Sequence, residues 1–181
     1  MIRSPQAAAI FDFMELKRYF LEQLEREAVA SRKVLERVPE GQNSWKPHEK
    51  SMELGYLAAL VASMPGWPAM MIERDQLDFE DPSGPTLRAQ AVETNAELLR
   101  LLEDSLEKSR RALENTTEEH LMTVWRLVNG KQVLSQNLRY ITIANMALSH
   151  MAHHRGQLTV YLRLNDAKVP AIYGPSADER W

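Results

Sequence analysis

The sequence predicts an all-α protein, a four-helix bundle with a small β-hairpin before its last helix. Four stretches of the 181-residue chain carry apolar residues at alternating steps of three and four, the spacing of a helix face that packs on a core. Two β-prone runs flank Asn129-Gly130, a pair that favours the tight turn of a hairpin. The chain is most simply one domain, residues 1–181, long enough to bury about 70% of its unfolded surface.

Composition excludes several classes of function. The 22 basic and 25 acidic residues are interspersed and give a net charge of −3, so no basic face predicts nucleic acid as a partner. No run of about 18 uncharged apolar residues predicts a membrane span, and the first residues lack a signal-peptide pattern. The absence of cysteine excludes disulfides, thiolate ligands and a cysteine nucleophile. These features favour a cytoplasmic enzyme or binding protein of bacterial type.

The first predicted helix runs from about residue 12 to residue 37. Pro39 and Gly41 follow it and end the pattern. In the connection that comes next, Trp45 is the only large apolar residue, and we interpret it as a plug over one end of the bundle. The stripe that predicts the helix consists of Phe13, Leu16, Phe20, Leu24, Ala28, Leu35 and Val38.

The second predicted helix begins near Ser51, a suitable N-cap, with Glu53 in the first turn where a carboxylate favours the helix dipole. Pro65 and Pro68 interrupt its apolar pattern, which predicts a kinked or displaced continuation. Residues 73–85 are acidic and rich in turn formers, which predicts a long crossover loop.

The third predicted helix spans residues 86–114. Thr116 and Glu119 then have the spacing of a capping box for a short helical turn. Beyond the fourth helix, residues 166–181 are punctuated by proline and glycine, which predicts an irregular tail.

The last predicted helix, residues 137–165, carries the candidate site. At about 100° per residue, His154 falls inside its apolar stripe, His150 on the flank, and His153 towards solvent or a partner. Residues at i and i+4 place their Cβ atoms about 6 Å apart, so both imidazoles can reach one divalent cation. The stripe is Tyr140, Ala144, Ala147, Met151, His154, Leu158 and Tyr161.

The same spacing has a simpler interpretation, in which His154 is a hydrogen-bonded core histidine and His150 borders it. Gln157 and Tyr161 lie one and two turns beyond His150 on roughly the same face. They are candidates for orienting an imidazole or a substrate, although Tyr161 also suits plain core packing.

Three segments resemble a known family: WKPHEKSMELG, MPGW, and HMAHHRGQLTVYLRLN followed by VPAIYGPSADE. They are similar to the DinB/YfiT-like superfamily of bacterial four-helix bundles. The resemblance implies an up-down-down-up bundle and a homodimer. It also implies a zinc or nickel site with one histidine from the second helix, an HxxxH pair from the fourth, and water in the open positions. Characterised relatives include transferases and isomerases that use low-molecular-weight thiols.

The HxxxH pair of the family corresponds to His150 and His154. Its second-helix ligand corresponds to Leu60, which cannot bind a metal, so the implied site is incomplete here. Candidate replacements are Glu53, Tyr56 and Ser63 on the same helix, none of which is well placed. His48 and His120 lie outside the bundle interior and are expected to be ordinary surface histidines.

Two functions from different classes remain open. The chain is a metal-dependent hydrolase or thiol-dependent transferase, with His150 and His154 holding the cation and Gln157 or Tyr161 steadying a small-molecule substrate. Alternatively, it is a catalytically silent protein that binds a small ligand or a partner and works as a homodimer.

Overall fold

A computed structural model describes residues 15–180 of the chain. In chain order, its helices are α1 (Leu16–Leu35), α2 (Leu54–Ser63), α3 (Trp67–Glu73), α4 (Asn95–Asn115), α5 (Glu118–Leu121), α6 (Arg139–Thr142) and α7 (His150–Leu164). Its strands are β1 (Gln76–Asp78), β2 (Val124–Asn129) and β3 (Gln132–Leu138). The fold is therefore mostly helical with a small sheet.

The long helices pack around two adjoining clusters of buried apolar side chains. Helices α1 and α2 both contact α4 and α7, so these elements enclose one interior. The cluster nearer the candidate site includes Phe20, Leu60, Met64, Trp67, Leu106, Ile143, Ala147 and Met151. The other includes Val34, Leu57, Val61, Leu102, Leu158 and Leu162.

The first turn of α1 binds a carboxylate from a distant part of the chain. Glu118 of α5 accepts hydrogen bonds from the main-chain N–H groups of Leu16, at 3.0 Å, and Lys17, at 3.1 Å. A carboxylate at this position satisfies donors that have no partner within the helix. The predicted start near residue 12 lies outside the described residues.

Helix α2 begins at Leu54, so the prediction of Ser51 as its N-cap was wrong. Glu53 is the N-cap residue and makes no side-chain capping bond. The main-chain N–H of Leu54 instead donates to the Trp45 carbonyl at 2.8 Å, and that of Gly55 donates to the Asn43 carbonyl at 3.0 Å. The preceding loop therefore supplies the cap through its own backbone.

The predicted kink after α2 is confirmed. A single 3₁₀ turn, Met64–Gly66, connects α2 to α3, whose second residue is Pro68. By length and composition, residues Leu54–Glu73 together could cross a membrane, but 78% of their most apolar 18-residue stretch is buried inside the fold. Burial of this extent is typical of a helix in a protein core.

The third helix starts at Asn95 rather than at residue 86. Thr94 and Glu97 form a reciprocal capping box at its first turn. Residues 86–94 are irregular, and Leu87, Ala89 and Val92 pack on the core from there. The apolar spacing of this segment therefore did not signal a helix.

The predicted crossover loop contains a strand that the sequence did not reveal. Strand β1 pairs in parallel with β2, with Leu77 opposite Leu127. Strand β2 pairs antiparallel with β3, and Gly130, at φ +57°, lies in the two-residue connection between them. The short helix α5 is capped by Thr117, one residue later than the Thr116 that the sequence indicated.

The predicted last helix is not uniform. Residues 137 and 138 belong to β3, α6 follows, and Ile143–Ser149 form a π-helix that leads directly into α7. Arg139 is fully buried, and its guanidinium donates to the Arg74 carbonyl at 2.8 Å and to the Asp75 carboxylate at 2.7 Å. This side chain therefore ties the start of the segment to the end of α3. Residues 165–180, which follow α7, form no helix or strand, as the sequence predicted for this part of the tail.

Candidate functional site

The two imidazoles of the HxxxH pair face each other at the start of α7. The Nε2 atoms of His150 and His154 are 2.8 Å apart, and the ring centroids are 4.5 Å apart. His154 is buried, with 5% of its surface exposed, whereas His150 is half-buried. The helical spacing predicted this difference in burial.

Gln157 fixes the orientation of the buried imidazole. Its side-chain carbonyl oxygen Oε1 lies 2.8 Å from Nδ1 of His154. Because a carbonyl oxygen only accepts, Nδ1 carries the proton and Nε2 of a neutral His154 has a lone pair. In the neutral pair, Nε2–H of His150 therefore donates to Nε2 of His154.

Two aromatic side chains border the pair. The ring of Trp67, on α3, meets the ring of His150 edge-on at a centroid distance of 5.6 Å. His153 is exposed, as the sequence predicted, yet its ring lies only 5.1 Å from that of His154. The pair thus has an apolar wall on one side and a solvent-facing imidazole on the other.

Both imidazoles of the pair have a lowered pKa. Burial is the largest cause for each, because it disfavours the charged ring. The charge of His153 lowers both further, while a hydrogen bond to the Met146 carbonyl partly opposes the shift at His150 and the bond to Gln157 opposes it at His154. The pair is therefore biased towards the neutral form, which is the form that binds metals.

Leu60 is buried, 4% exposed, in the same core cluster as Met64, Trp67 and Met151. Among residues 15–180, no three side chains of His, Asp or Glu converge as a metal site. Of the candidate replacements, Glu53 is exposed at the helix start, Tyr56 packs against the apolar core, and the Ser63 hydroxyl donates to the Leu60 carbonyl at 3.0 Å. The protein thus brings two nitrogen donors together.

The other candidate residues have local roles. The Tyr161 hydroxyl donates to the Met52 carbonyl at 3.1 Å, and its ring packs against Trp45 at 5.5 Å. Nε2 of His120 lies 2.8 Å from the Ile72 carbonyl. His48 is exposed and its Nδ1 accepts from the main-chain N–H of Lys50 at 3.1 Å. Of these, only Tyr161 lies on α7.

Sequence reasoning missed a buried ion pair on the other side of α7. Arg155 is 1% exposed, and its Nη2 donates to Oε2 of Glu27 at 2.6 Å. A signal was present, because Met151, Arg155, Leu158 and Leu162 follow one another at steps of four, three and four. A charged residue inside an apolar stripe needs a buried partner.

Comparison with known proteins shows that the chain is similar to several bacterial proteins. It is 26% identical over 164 residues to "Uncharacterized protein YrdA" of Bacillus subtilis (strain 168), covering 89% of this chain and 90% of that protein. Its fold is similar to that of the DinB-like protein YjoA from Bacillus subtilis, with a TM-score of 0.61, 21% identity, and coverage of 84% of this chain and 96% of the other.

A DinB-like protein from Bacillus cereus is similar in the same way, with a TM-score of 0.57, 20% identity, and coverage of 85% of this chain and 95% of the other. At these identities the two structures support the fold. The model of the DinB family matches residues 13–180. The chain therefore belongs to the DinB family.

Proposed function

We propose that the His150–His154 pair binds a divalent cation and that the protein is a metal-dependent enzyme acting on a small molecule, either as a hydrolase or as a thiol-dependent transferase. The observation that supports this most is the 2.8 Å approach of the two Nε2 atoms at a half-buried position. Family membership supports the same proposal.

The donor set suits zinc or nickel, since both accept neutral imidazole nitrogen. Two nitrogens bound to one tetrahedral zinc at 2.0–2.1 Å lie about 3.3 Å apart. The observed 2.8 Å separation would therefore have to widen by about 0.5 Å, within the reach of small side-chain rotations. Two donors are one fewer than catalytic zinc sites usually have, so the proposal predicts weak binding.

The hydrogen bonds around the pair support a tautomer in which both Nε2 atoms can bind a cation. Gln157 already holds the His154 proton on Nδ1, away from the shared space. The Met146 carbonyl is an acceptor for His150, so His150 can move its proton to Nδ1 and present a lone pair at Nε2. Both Nε2 lone pairs then face the same point.

When bound, a divalent cation would lower the pKa of a water or a thiol at neutral pH. The side chains of this protein orient the imidazoles and control the access of solvent to them. Gln157 holds the orientation of His154, and Trp67 excludes water from one side of His150. His153, which is exposed, leaves a polar approach to the pair from solvent.

Titration of zinc and nickel into untagged protein tests the proposal, with calorimetry and thermal unfolding as measurements. We expect one cation per chain and a higher Tm, and loss of both in His154→Ala. His48→Ala is the matched control, since it removes an exposed imidazole away from the pair and should bind as the wild type does. Absence of binding in the wild type would contradict the proposal.

The buried Leu60 favours the second candidate, a catalytically silent protein that binds a small ligand or a partner. Leu60→His distinguishes the two ideas. If the family's third donor position is Leu60, this change should tighten zinc binding by at least about tenfold, because a third nitrogen completes the usual donor set. Unchanged affinity would show that Leu60 is not at that position.

The homodimer implied by the family resemblance remains a proposal. Sedimentation of the untagged protein over a range of concentrations tests it, with a mass of twice 20.8 kDa as the expected result. A mass of one chain at all concentrations would contradict it.

A further inference from the structure

A narrow groove of about 240 Å³ runs between α1 and the last helical segment. Tyr19, Gln23 and Glu27 line it from α1, and Ala144 and Ala152 line it from the opposite side. Tyr19 and Glu27 are eight residues apart, so the groove extends about 12 Å along α1. It therefore has the shape to hold an elongated small molecule.

The groove is separate from the imidazole pair. At 100° per residue, Ala152 lies about 160° around α7 from both His150 and His154. Its existence depends on small side chains and on the π-helix, because Ala144 and Ala152 fill little space and π-helical turns are wider than α-helical ones. Such π-helical insertions occur frequently at functional sites.

The Glu27 carboxylate lies at one end of the groove, and among the described residues only one of its two oxygens accepts a hydrogen bond. Oε2 of Glu27 accepts from Nη2 of Arg155 at 2.6 Å and from the Tyr173 hydroxyl at 2.6 Å. Oε1 accepts no hydrogen bond from residues 15–180, although the Glu27 side chain is only 11% exposed. A carboxylate oxygen has two lone pairs, so this end of the groove can accept two further donors.

The charges around Oε1 of Glu27 favour a cation as its ligand. Glu27 is the only acidic or basic side chain among the described residues lining the groove; the other polar side chains include those of Gln23, Tyr19 and Tyr173, and burial raises the pKa of Tyr173. Arg155 binds Oε2 and is already engaged with the Glu27 carbonyl at 3.0 Å. A cation at Oε1 would lie nearer to the carboxylate than to this guanidinium, so attraction exceeds repulsion.

We propose that this groove is a binding site for a small organic amine, with the ammonium group at Oε1 of Glu27 and an apolar body along Ala144 and Ala152. An ammonium group can donate one of its three N–H groups to Oε1, and its positive charge is opposite in sign to that of a carboxylate. Charge-assisted bonds of this kind are stronger than those of a neutral hydroxyl. The site does not depend on metal binding by His150 and His154.

The n-hexylammonium ion and 1-hexanol are matched probes, since they share an apolar chain and differ in the charged head. Binding to the full chain is measured by protein NMR, through chemical-shift changes at Gln23 and Ala152. We expect hexylammonium to bind at least about fivefold more tightly than hexanol, because a hydrogen bond to a charged group stabilises more than a neutral one. Equal affinities, shift changes scattered over the surface, or no binding at 10 mM would overturn the proposal.

Two variants locate the binding. Ala152→Phe fills the groove while leaving both side chains of the Glu27–Arg155 pair in place, and it should abolish hexylammonium binding. Val160→Phe is the matched control, since Val160 is on the same helix and 56% exposed, and it should bind as the wild type does. Glu27→Gln should remove the preference for the ammonium group. If Glu27→Gln does not fold, the comparison of Ala152→Phe with Val160→Phe still tests the location of the site. Equal hexylammonium binding by both variants would show that the ligand does not bind in the groove.

Discussion

Helix α7 presents two polar faces to the interior, and the polar side chains on these faces differ in the number of hydrogen-bond partners that they have. On one face, the Arg155 guanidinium is almost fully enclosed and donates to the carboxylate and carbonyl of Glu27 and to the hydroxyls of Ser31 and Tyr173. On the other, His150 and His154 have only each other and one further hydrogen-bonding group apiece.

This difference separates a structural role from a functional one. The buried guanidinium of Arg155, with four protein partners, holds α1, α7 and the tail together, so the guanidinium itself has little capacity for another ligand. Two neutral imidazoles with converging nitrogens keep that capacity, because a move of the His150 proton from Nε2 to Nδ1 would leave both Nε2 lone pairs available to a cation. Four changes test the contrast, from the largest expected effect to the smallest.

The largest effect is expected for Arg155→Met. Removal of one partner leaves Glu27 with an uncompensated buried charge, so the free energy of unfolding should fall by about 3–5 kcal/mol. Urea denaturation measures it. Arg163→Met is the matched control on the same helix, since Arg163 pairs with Asp178 at a half-exposed site, and should cost at most about 1 kcal/mol. If both variants lost the same free energy of unfolding, burial of the Glu27–Arg155 pair would not be the cause of the loss in Arg155→Met.

Gln157→Leu should weaken zinc or nickel binding by about 10-fold to 100-fold, because it removes the group that orients His154. Gln157 is exposed, so the free energy of unfolding should change by no more than about 0.5 kcal/mol. Gln157→Glu retains an acceptor for Nδ1 and should keep the affinity. Calorimetry distinguishes the two variants, and equal weakening in both would count against the orienting role.

Lowering the pH should destabilise the protein through the imidazole pair. Both folded-state pKa values are below the ordinary 6.5, so between them and 6.5 the unfolded chain binds more protons than the folded chain. The free energy of unfolding therefore decreases as the pH falls through this window. The double variant His150→Gln, His154→Gln should show a flatter pH dependence in urea denaturation. Parallel curves for the two proteins would contradict the direction of the shifts.

The smallest effect is expected for His153→Gln. The charge of His153 contributes to the lowered pKa of both His150 and His154, so its removal should raise both titration midpoints. NMR of the imidazole Cε1 protons measures the midpoints individually. A downward movement would show that His153 does not act on the pair through its charge.

The sequence predicted those parts of the fold that depend on local periodicity. The buried stripe around Met151 and His154 and the interruption at Met64–Gly66 have short-range signals. The hairpin has one as well, but its two-residue turn is Gly130-Lys131, one residue later than the Asn129-Gly130 that the sequence predicted. The start of α4 was mispredicted at residue 86, although Thr94 and Glu97 had the spacing of a capping box.

Long-range partners could not be predicted in the same way. Strand β1 exists because β2 lies beside it, and α2 starts at Leu54 because the carbonyls of Asn43 and Trp45 reach its first N–H groups. The orientation of Gln157 towards His154 follows from the helix spacing, but the choice of Glu27 as the partner of Arg155 spans 128 residues. Such pairings depend on tertiary packing that one sequence does not display.

Metal binding by the pair is tested most directly by X-ray absorption spectroscopy at the metal edge of zinc-loaded or nickel-loaded protein. We expect two imidazole nitrogens in the coordination shell, with oxygen donors in the remaining positions, and loss of the imidazole signal in the double variant His150→Gln, His154→Gln. A shell without imidazole, or one that is unchanged in that variant, would show that the cation binds elsewhere and that His150 and His154 are not its ligands.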